Sequence, residues 1–318
     1  MKFYDIFNGD ADGICALQQL RLEEPRDSVL VTGVKRDIRL LERVDAGGGD
    51  ELTVLDISLR TNAGDLSRLL AAGVRCRYFD HHAPGIIPQH PNLRTFIDTA
   101  PDACTSLIVD QYLKGRHRSW AIVAAFGDNL AEAALRTAAT MQIDGGDLER
   151  LQRLGEVMNY NAYGETIDDL HYHPADLFEA LRVYRDPLDF INSEPVYDVL
   201  RNALAEDLDR AEVLAPAFER QDRALYVLPD AAWSRRIHGH FGNRVALVEP
   251  ERANAVLVKK TGGYTVSVRA PRGRPTGADA LCRMFESGGG REAAAGINFL
   301  PESDYPRFVA EFEKAFAA

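Results

Sequence analysis

Four short stretches carry most of the residues able to do chemistry: Asp10 and Asp12 in "NGDADG", Asp56 in "VLDIS", Asp80, His81 and His82 in "YFDHH", and Asp128 in "AAFGDN". Carboxylate oxygens together with imidazole nitrogen suit Mn2+, Mg2+ or Zn2+. Two such ions about 3.5–4 Å apart need one carboxylate able to bridge them and separate terminal ligands. A single Asp at a strand end is ordinarily a turn or cap residue. Recurrence at successive element ends points instead to one joint site. Asp10 and Asp12 lie two residues apart, and like charges this close repel, so positive charge is expected beside them. Gly9 and Gly13 allow the backbone to turn tightly and approach the site.

The elements that must position these residues alternate in the first half of the chain. "KFYDIF", "SVLVTGV", "ELTVLDIS" and "VRCRYFD" read as strands, with helices expected over 14–22 and 62–72. This pattern predicts a parallel α/β sheet, in which ligands collect at the carboxyl ends of strands. From Cys104 to about Asp222 the apolar periodicity is helical, with "CTSLIVDQYL", "WAIVAAFGDNLAEAALRTAATM" and "LERLQRLGEVMNY" as helices and a polar connector helix over 195–220. Strands return at "ALYVLP", "RVALVEP", "NAVLVKK" and "YTVSVRAP", and a last helix is expected over 305–316. The domain organisation expected is 1–190, a helical connector over 191–222, and a smaller α/β domain over 223–318.

The 318 residues are 46% hydrophobic and 27% charged, enough for two buried cores. No apolar run approaches the roughly 20 residues of a membrane span, and the first residues lack a signal-peptide pattern, so the expected location is the cytoplasm. Cys15, Cys76, Cys104 and Cys282 form no C-x-x-C pair and read as buried free thiols. The net charge of −11 argues against coating long nucleic acid by charge alone. From Asp222 onward fourteen basic side chains face eleven acidic ones, a net of +3, which leaves −14 for the preceding part. An acidic first part and a basic last part suit a metal site and a phosphate clamp, and equally suit solvated surfaces.

"NGDADGICA", "VLDIS", "YFDHH" and "AAFGDN", in this order, resemble the motifs of the DHH phosphoesterase superfamily. "YTVSVRAP" followed by "GGGREAAAG" resembles the DHH-associated substrate-binding domain of RecJ-type exonucleases and oligoribonucleases. The resemblance covers roughly residues 1–130 and 223–300. It implies a DHH domain followed by a substrate-binding domain, and two Mn2+ ions, with Mg2+ or another divalent metal as the alternative. Asp56 would bridge, Asp12, His81 and Asp128 would complete one metal site, and Asp10 would serve the other. His82 would face the substrate phosphate, and Asp80 would orient the histidines. One departure stands out: several family members carry a histidine four residues before the first motif aspartate, where this chain has Ile6. Asn8 stands where RecJ-type members often have another aspartate. The second ion is then left with weak binding, ligation by Asn8 or water, arrival with substrate, or complete loss of activity.

"GGGREAAAG" is expected to open a helix whose free N–H groups, at Gly288, Gly289 and Gly290, bind phosphate. Arg291 beside it, and Arg269 at a strand end, would fork phosphate oxygens. Thr105 and Ser106 open a helix, and capping and phosphate contact are both open for them. His171 and His173 read as a solvated loop ahead of a metal site, and Tyr160 and Tyr163 as packing ahead of base stacking. The reading that follows is a metal-dependent phosphodiesterase or exonuclease-like hydrolase acting on short single-stranded oligonucleotides or nucleotides, with homodimerisation one option. A small-molecule phosphatase or pyrophosphatase, and a non-catalytic nucleotide-binding regulator, are the alternatives.

Overall fold

The computed structural model describes residues 1–317. It divides into two compact units, Met1–Asn202 and Ala203–Ala318.

In the first unit, β1 (Phe3–Phe7) leads into α1 (Ala11–Glu23) and β2 (Val29–Val31). β3 (Glu51–Leu55), α2 (Leu59–Ala71), β4 (Arg75–Asp80) and β5 (Leu93–Ile97) follow. The five strands pair in the order β2-β1-β3-β4-β5, all in parallel. Because the chain leaves β1 to both sides, the order reverses beside it, and ligands favour the crevice at that point. β1 buries both faces. Tyr4 and Ile6 join an apolar cluster with Leu52, Val54, Leu66 and Leu69. On the other face Asp5 is fully buried and accepts from Arg21 Nε at 2.7 Å, Arg21 Nη2 at 2.6 Å and Ser28 Oγ at 2.6 Å. This ion pair ties α1 to its sheet, and removing one partner would strand a buried charge at a cost of roughly 3–5 kcal/mol.

Seven helices complete the unit: α3 (Thr105–Tyr112), α4 (Arg118–Gly127), α5 (Ala131–Ala138), α6 (Gly145–Ala162), α7 (Pro174–Leu181), α8 (Pro187–Ser193) and α9 (Pro195–Glu212), the last running past residue 202. Every residue of α1 from Ala11 to Arg21 is buried, as a helix enclosed on all sides requires. The stretch read as one helix from Trp120 to Met141 is two, broken after Gly127 where Asp128 caps α4 and Asn129 takes φ 59°. Asn tolerates that left-handed conformation better than most residues.

The second unit contains β6 (Phe218–Glu219), β7 (Arg223–Leu228), α10 (Ala232–Val248), β8 (Ala253–Lys260), β9 (Gly263–Arg269), α11 (Ala278–Cys282), β10 (Gly288–Gly290), β11 (Ala294–Pro301) and α12 (Tyr305–Ala315). Its sheet runs β10-β11-β9-β8-β7-β6, with β7 and β8 parallel and the other pairs antiparallel. Phe308, Phe312 and Phe316 recur every fourth residue and pack on Leu257, Val266 and Ile297.

Two expectations are corrected here. "RVALVEP" is not a strand but the end of α10, because Ser234, Ile237, Phe241 and Val245 recur at helical spacing and are the buried ones. "GGGREAAAG" does not open a helix. Gly288–Gly290 and Ala294–Pro301 form a hairpin, closed by Arg291 N donating to Ala294 O at 2.9 Å and Ala294 N to Arg291 O at 3.2 Å. Ala295 and Ile297 are buried in alternation, and that period-two pattern outweighs the helix preference of an alanine run. Gly288, Gly289 and Gly290 therefore present no helix start to a phosphate. No helix among the described residues is long and apolar enough to cross a membrane.

Candidate metal centre

The carboxyl ends of β1, β3 and β4 hold Asp10, Asp56 and Asp80, and the C-terminus of α4 adds Asp128. Asp10 is the N-cap of α1, where Oδ1 accepts from Asp12 N at 3.0 Å and Gly13 N at 3.1 Å. The tight entry depends on Gly13: a Cβ there would lie 2.2 Å from Asn8 O. Gly13→Ala is expected to destabilise the fold by about 1–3 kcal/mol, the usual cost of overpacking, in urea denaturation. A loss under about 0.5 kcal/mol would mean that the loop relaxes freely.

Asp12 is fully buried, and both of its oxygens meet the start of α3. Thr105 N donates to Oδ2 and Ser106 N to Oδ1, each at 2.7 Å. The open N–H groups of α3 favour an anion, and these two bonds fix the direction of the Asp12 carboxyl. Thr105 Oγ1 donates to Asp56 Oδ1 at 3.2 Å, and Ser106 Oγ to the Asp12 carbonyl at 2.9 Å. The polar groups of Thr105 and Ser106 thus serve the protein's own acidic residues.

Asp56 takes φ 59° at the end of β3, a conformation that costs a side chain about 1 kcal/mol or more. Its Oδ1 lies 3.4 Å from His81 Nε2. His81 Nε2 also lies 3.9 Å from Asp128 Oδ2. Asp128 reaches this point because α1, α4 and α6 approach closely: a Cβ on Gly127 would lie 2.6 Å from Ala11 Cβ and 3.2 Å from Gly155 O. Asn159 pins the same junction, accepting from Ala11 N at 3.2 Å and donating to Gly127 O. Among the described residues, Asp12, His81 and Asp128 form one group with donor atoms within 4.8 Å of one another, and Asp56, His81 and His82 form another. Two oxygens and an imidazole nitrogen, on one buried and two half-buried residues, are a donor set that fits Mn2+ or Mg2+ with additional water ligands.

Burial, and then Asp12, Asp10 and Asp128, push the Asp56 carboxyl well above the usual range. Burial likewise raises Asp128 to about 6, with Lys35 opposing and Asp12 and Asp10 adding. Acidic groups crowded this way take up protons unless a cation is supplied. Asp10 differs: burial works against its charge, yet Lys35 overcomes it and holds the carboxyl below its ordinary value.

Lys35 is a site residue that nothing in the sequence sets apart. Its Nζ touches Asp10 Oδ2 and lies 3.3 Å from Asp128 Oδ1. Asn8 is buried and structural in its contacts, donating to Lys35 O at 3.2 Å and accepting from Asp10 N at 3.3 Å. Asp10 joins neither metal-capable group.

Asp80 is fully buried and holds His82, Nδ1 to Oδ1 at 2.7 Å. A carboxylate only accepts, so Nδ1 carries the hydrogen, and that bond with Asp80 raises the His82 pKa against partial desolvation. Asp80 Oδ2 is buried without a hydrogen-bond partner. His171 bonds Tyr160 OH at 2.8 Å and His173 caps α7 through Ala175 N at 3.1 Å, and neither joins a metal-capable group. Tyr163 lies beneath Lys35, its ring centroid 5.6 Å from Nζ. In the second unit Arg269 ends β9 and donates to Asn243 Oδ1 at 2.8 Å and Ser267 Oγ at 2.7 Å, while Arg291 is exposed in the hairpin turn.

No protein-family model matches the chain, and no curated protein matches it in sequence. Solved structures do. The exonuclease RecJ bound to manganese aligns at TM-score 0.62 and 16% identity, over 99% of this chain and 90% of that one. The pGpG-specific phosphodiesterase PggH from Vibrio aligns at 0.56 and 14%, over 99% of both chains. An exopolyphosphatase-related protein from Bacteroides fragilis aligns at 0.53 and 15%, over 99% of this chain and 91% of that one. The likeness to these proteins is one of fold, and it runs along nearly the whole chain.

Proposed function

We propose that the chain is a divalent-metal-dependent phosphoesterase, with Mn2+ as its metal, that hydrolyses phosphodiester bonds of short oligonucleotides or small nucleotides. The observation that carries this is the convergence of Asp12, His81 and Asp128 within 4.8 Å, beside Asp56 and His82. Asp12, Asp56, His81 and Asp128 are the proposed ligands. A divalent ion there would supply Lewis acidity to a phosphoryl oxygen and acidify the attacking water. The α3 amides fix Asp12 in direction. Asp80 orients His82 and favours its protonated form, so that Nε2–H donates to a phosphate oxygen or to the departing oxygen. Arg269 and Arg291 are proposed to bind substrate phosphate, with Gly288, Gly289 and Gly290 keeping the neighbouring backbone uncluttered.

The phosphodiester choice is supported by the fold shared with RecJ, an exonuclease, and PggH, specific for pGpG. The net charge of −11 favours short substrates. The four unpaired, buried cysteines suit action in the cytoplasm.

The test is the purified chain with Mn2+ against linear and cyclic dinucleotides, di- to pentanucleotides and 3′-phosphorylated adenosine phosphates. Mononucleotides released from linear dinucleotides are expected. Inorganic phosphate as sole product would replace the proposal with a phosphatase, and no turnover with any divalent ion would remove it. Arg269→Ala and Arg291→Ala should each raise KM about 10- to 100-fold with kcat less affected, as loss of roughly 1.5–3 kcal/mol per charged hydrogen bond implies. Loss of bound Mn2+ in either variant would contradict a substrate role.

A further inference from the structure

Asp10 and Asp128 direct one oxygen each, Oδ2 and Oδ1, at a single point beside the metal-capable group, and Lys35 Nζ occupies it. Asp128 is shared, since its other oxygen, Oδ2, lies on the His81 side. The Asp10 oxygen not facing Lys35 already accepts two backbone N–H groups, which leaves it no lone pair for an ion. Ile6, four residues before Asp10, is fully buried in an apolar cluster and offers no ligand.

The lysine is held in place from its backbone outward. Its N–H donates to Ala162 O at 2.9 Å, and its carbonyl accepts from Asn8 Nδ2 at 3.2 Å. Tyr163 packs under the ammonium at 5.6 Å, a cation–π distance. Two hydrogens of the ammonium are spent on Asp10 and Asp128, and a third remains. The side chain is 29% exposed. A compact ammonium has three rotatable donors, where a guanidinium is a planar fork. This chain has only six lysines among its 37 basic residues, and one of them stands here.

We infer that Lys35 is the resident second cation of this site: it takes the place of a second divalent ion between Asp10 and Asp128, and offers its remaining N–H to the scissile phosphate. The inference rests on the phosphoesterase reading and changes its metal count to one. It also gives Asp10 and Asp12 separate partners, the first an ammonium and the second a helix start.

The experiment reads the metal, with no need for turnover. Equilibrium dialysis against Mn2+ with elemental analysis should give one ion per wild-type chain, and electron paramagnetic resonance should show the six-line spectrum of an isolated Mn2+. Lys35→Ala, and Lys35→Met, which keeps the aliphatic stem, should take up two ions with an exchange-coupled spectrum. Two coupled ions in the wild type would overturn the inference and leave the phosphoesterase intact. A single, unchanged ion in both variants would overturn it as well, because the freed oxygens would then form no cation position. No ion in the wild type would remove both proposals.

Discussion

Asp56→Asn is expected to lower Mn2+-dependent hydrolysis by about 10³-fold or more while the metal-free protein becomes more stable. Asparagine is the informative replacement because the backbone at this position has φ 59°, which asparagine tolerates and alanine does not. Loss of a mere hydrogen-bond partner to a metal ligand typically costs 10- to 100-fold, and loss of the ligand's own charge should exceed that. The gain in stability has a separate cause. The Asp56 carboxyl is pushed well up by burial and by Asp12, Asp10 and Asp128, so at neutral pH it opposes folding when no cation is bound. A neutral amide removes that repulsion. In chelator the variant should melt above wild type, and in Mn2+ the ranking should reverse. Activity within a few-fold of wild type would sink the assignment of Asp56 as a ligand.

The second large effect is the pH dependence of the metal-free and metal-loaded protein. An unfolded aspartate titrates near 3.9, while Asp128 in the fold titrates at about 6, raised by burial first and by Asp12 and Asp10. Between these values the folded chain binds more protons than the unfolded one, so stability falls as pH rises. For Asp128 alone the loss is roughly 2–3 kcal/mol, and Asp56 adds in the same direction. Asp10, held low by Lys35 against its burial, contributes stability that is lost only under more acidic conditions. Mn2+ competes with those protons, so its stabilisation should grow as pH passes 6. At 1,000 times Kd a single ion adds about 4 kcal/mol, or about 8–16 °C in Tm for a unit of some 200 residues. Melting curves in chelator and in Mn2+ from pH 5 to 8 measure this directly. Curves that coincide at pH 8 would show that the acidic cluster takes no Mn2+.

Much of this was legible in the residues themselves. The β-branched runs at 29–31 and 51–55 and the alternation around Arg75–Asp80 are strands, because local apolar pattern and turn residues agree there. Asp12, His81 and Asp128 stood out by type and by their place at element ends, and these three do come together. Where local signals conflict, the sequence misleads. "RVALV" suits either element until Ile237 and Phe241 fix its buried face, and "REAAAG" looks helical until its alternate residues are buried in a sheet.

The partners of each charge were settled by the tertiary structure alone. Nothing near Asp12 in the chain announces that Thr105 and Ser106, more than ninety residues away, will donate to both its oxygens. Nor does "TGVKRD" mark Lys35 as different from any lysine in a loop. Its role exists because Asn8 and Ala162 clamp its backbone while α4 delivers Asp128 to its ammonium. Types and spacings determined which groups could bind a cation. Which of them meet a metal, a helix start or an ammonium depended on long-range packing, since a charge takes the partner that the fold brings within about 3 Å.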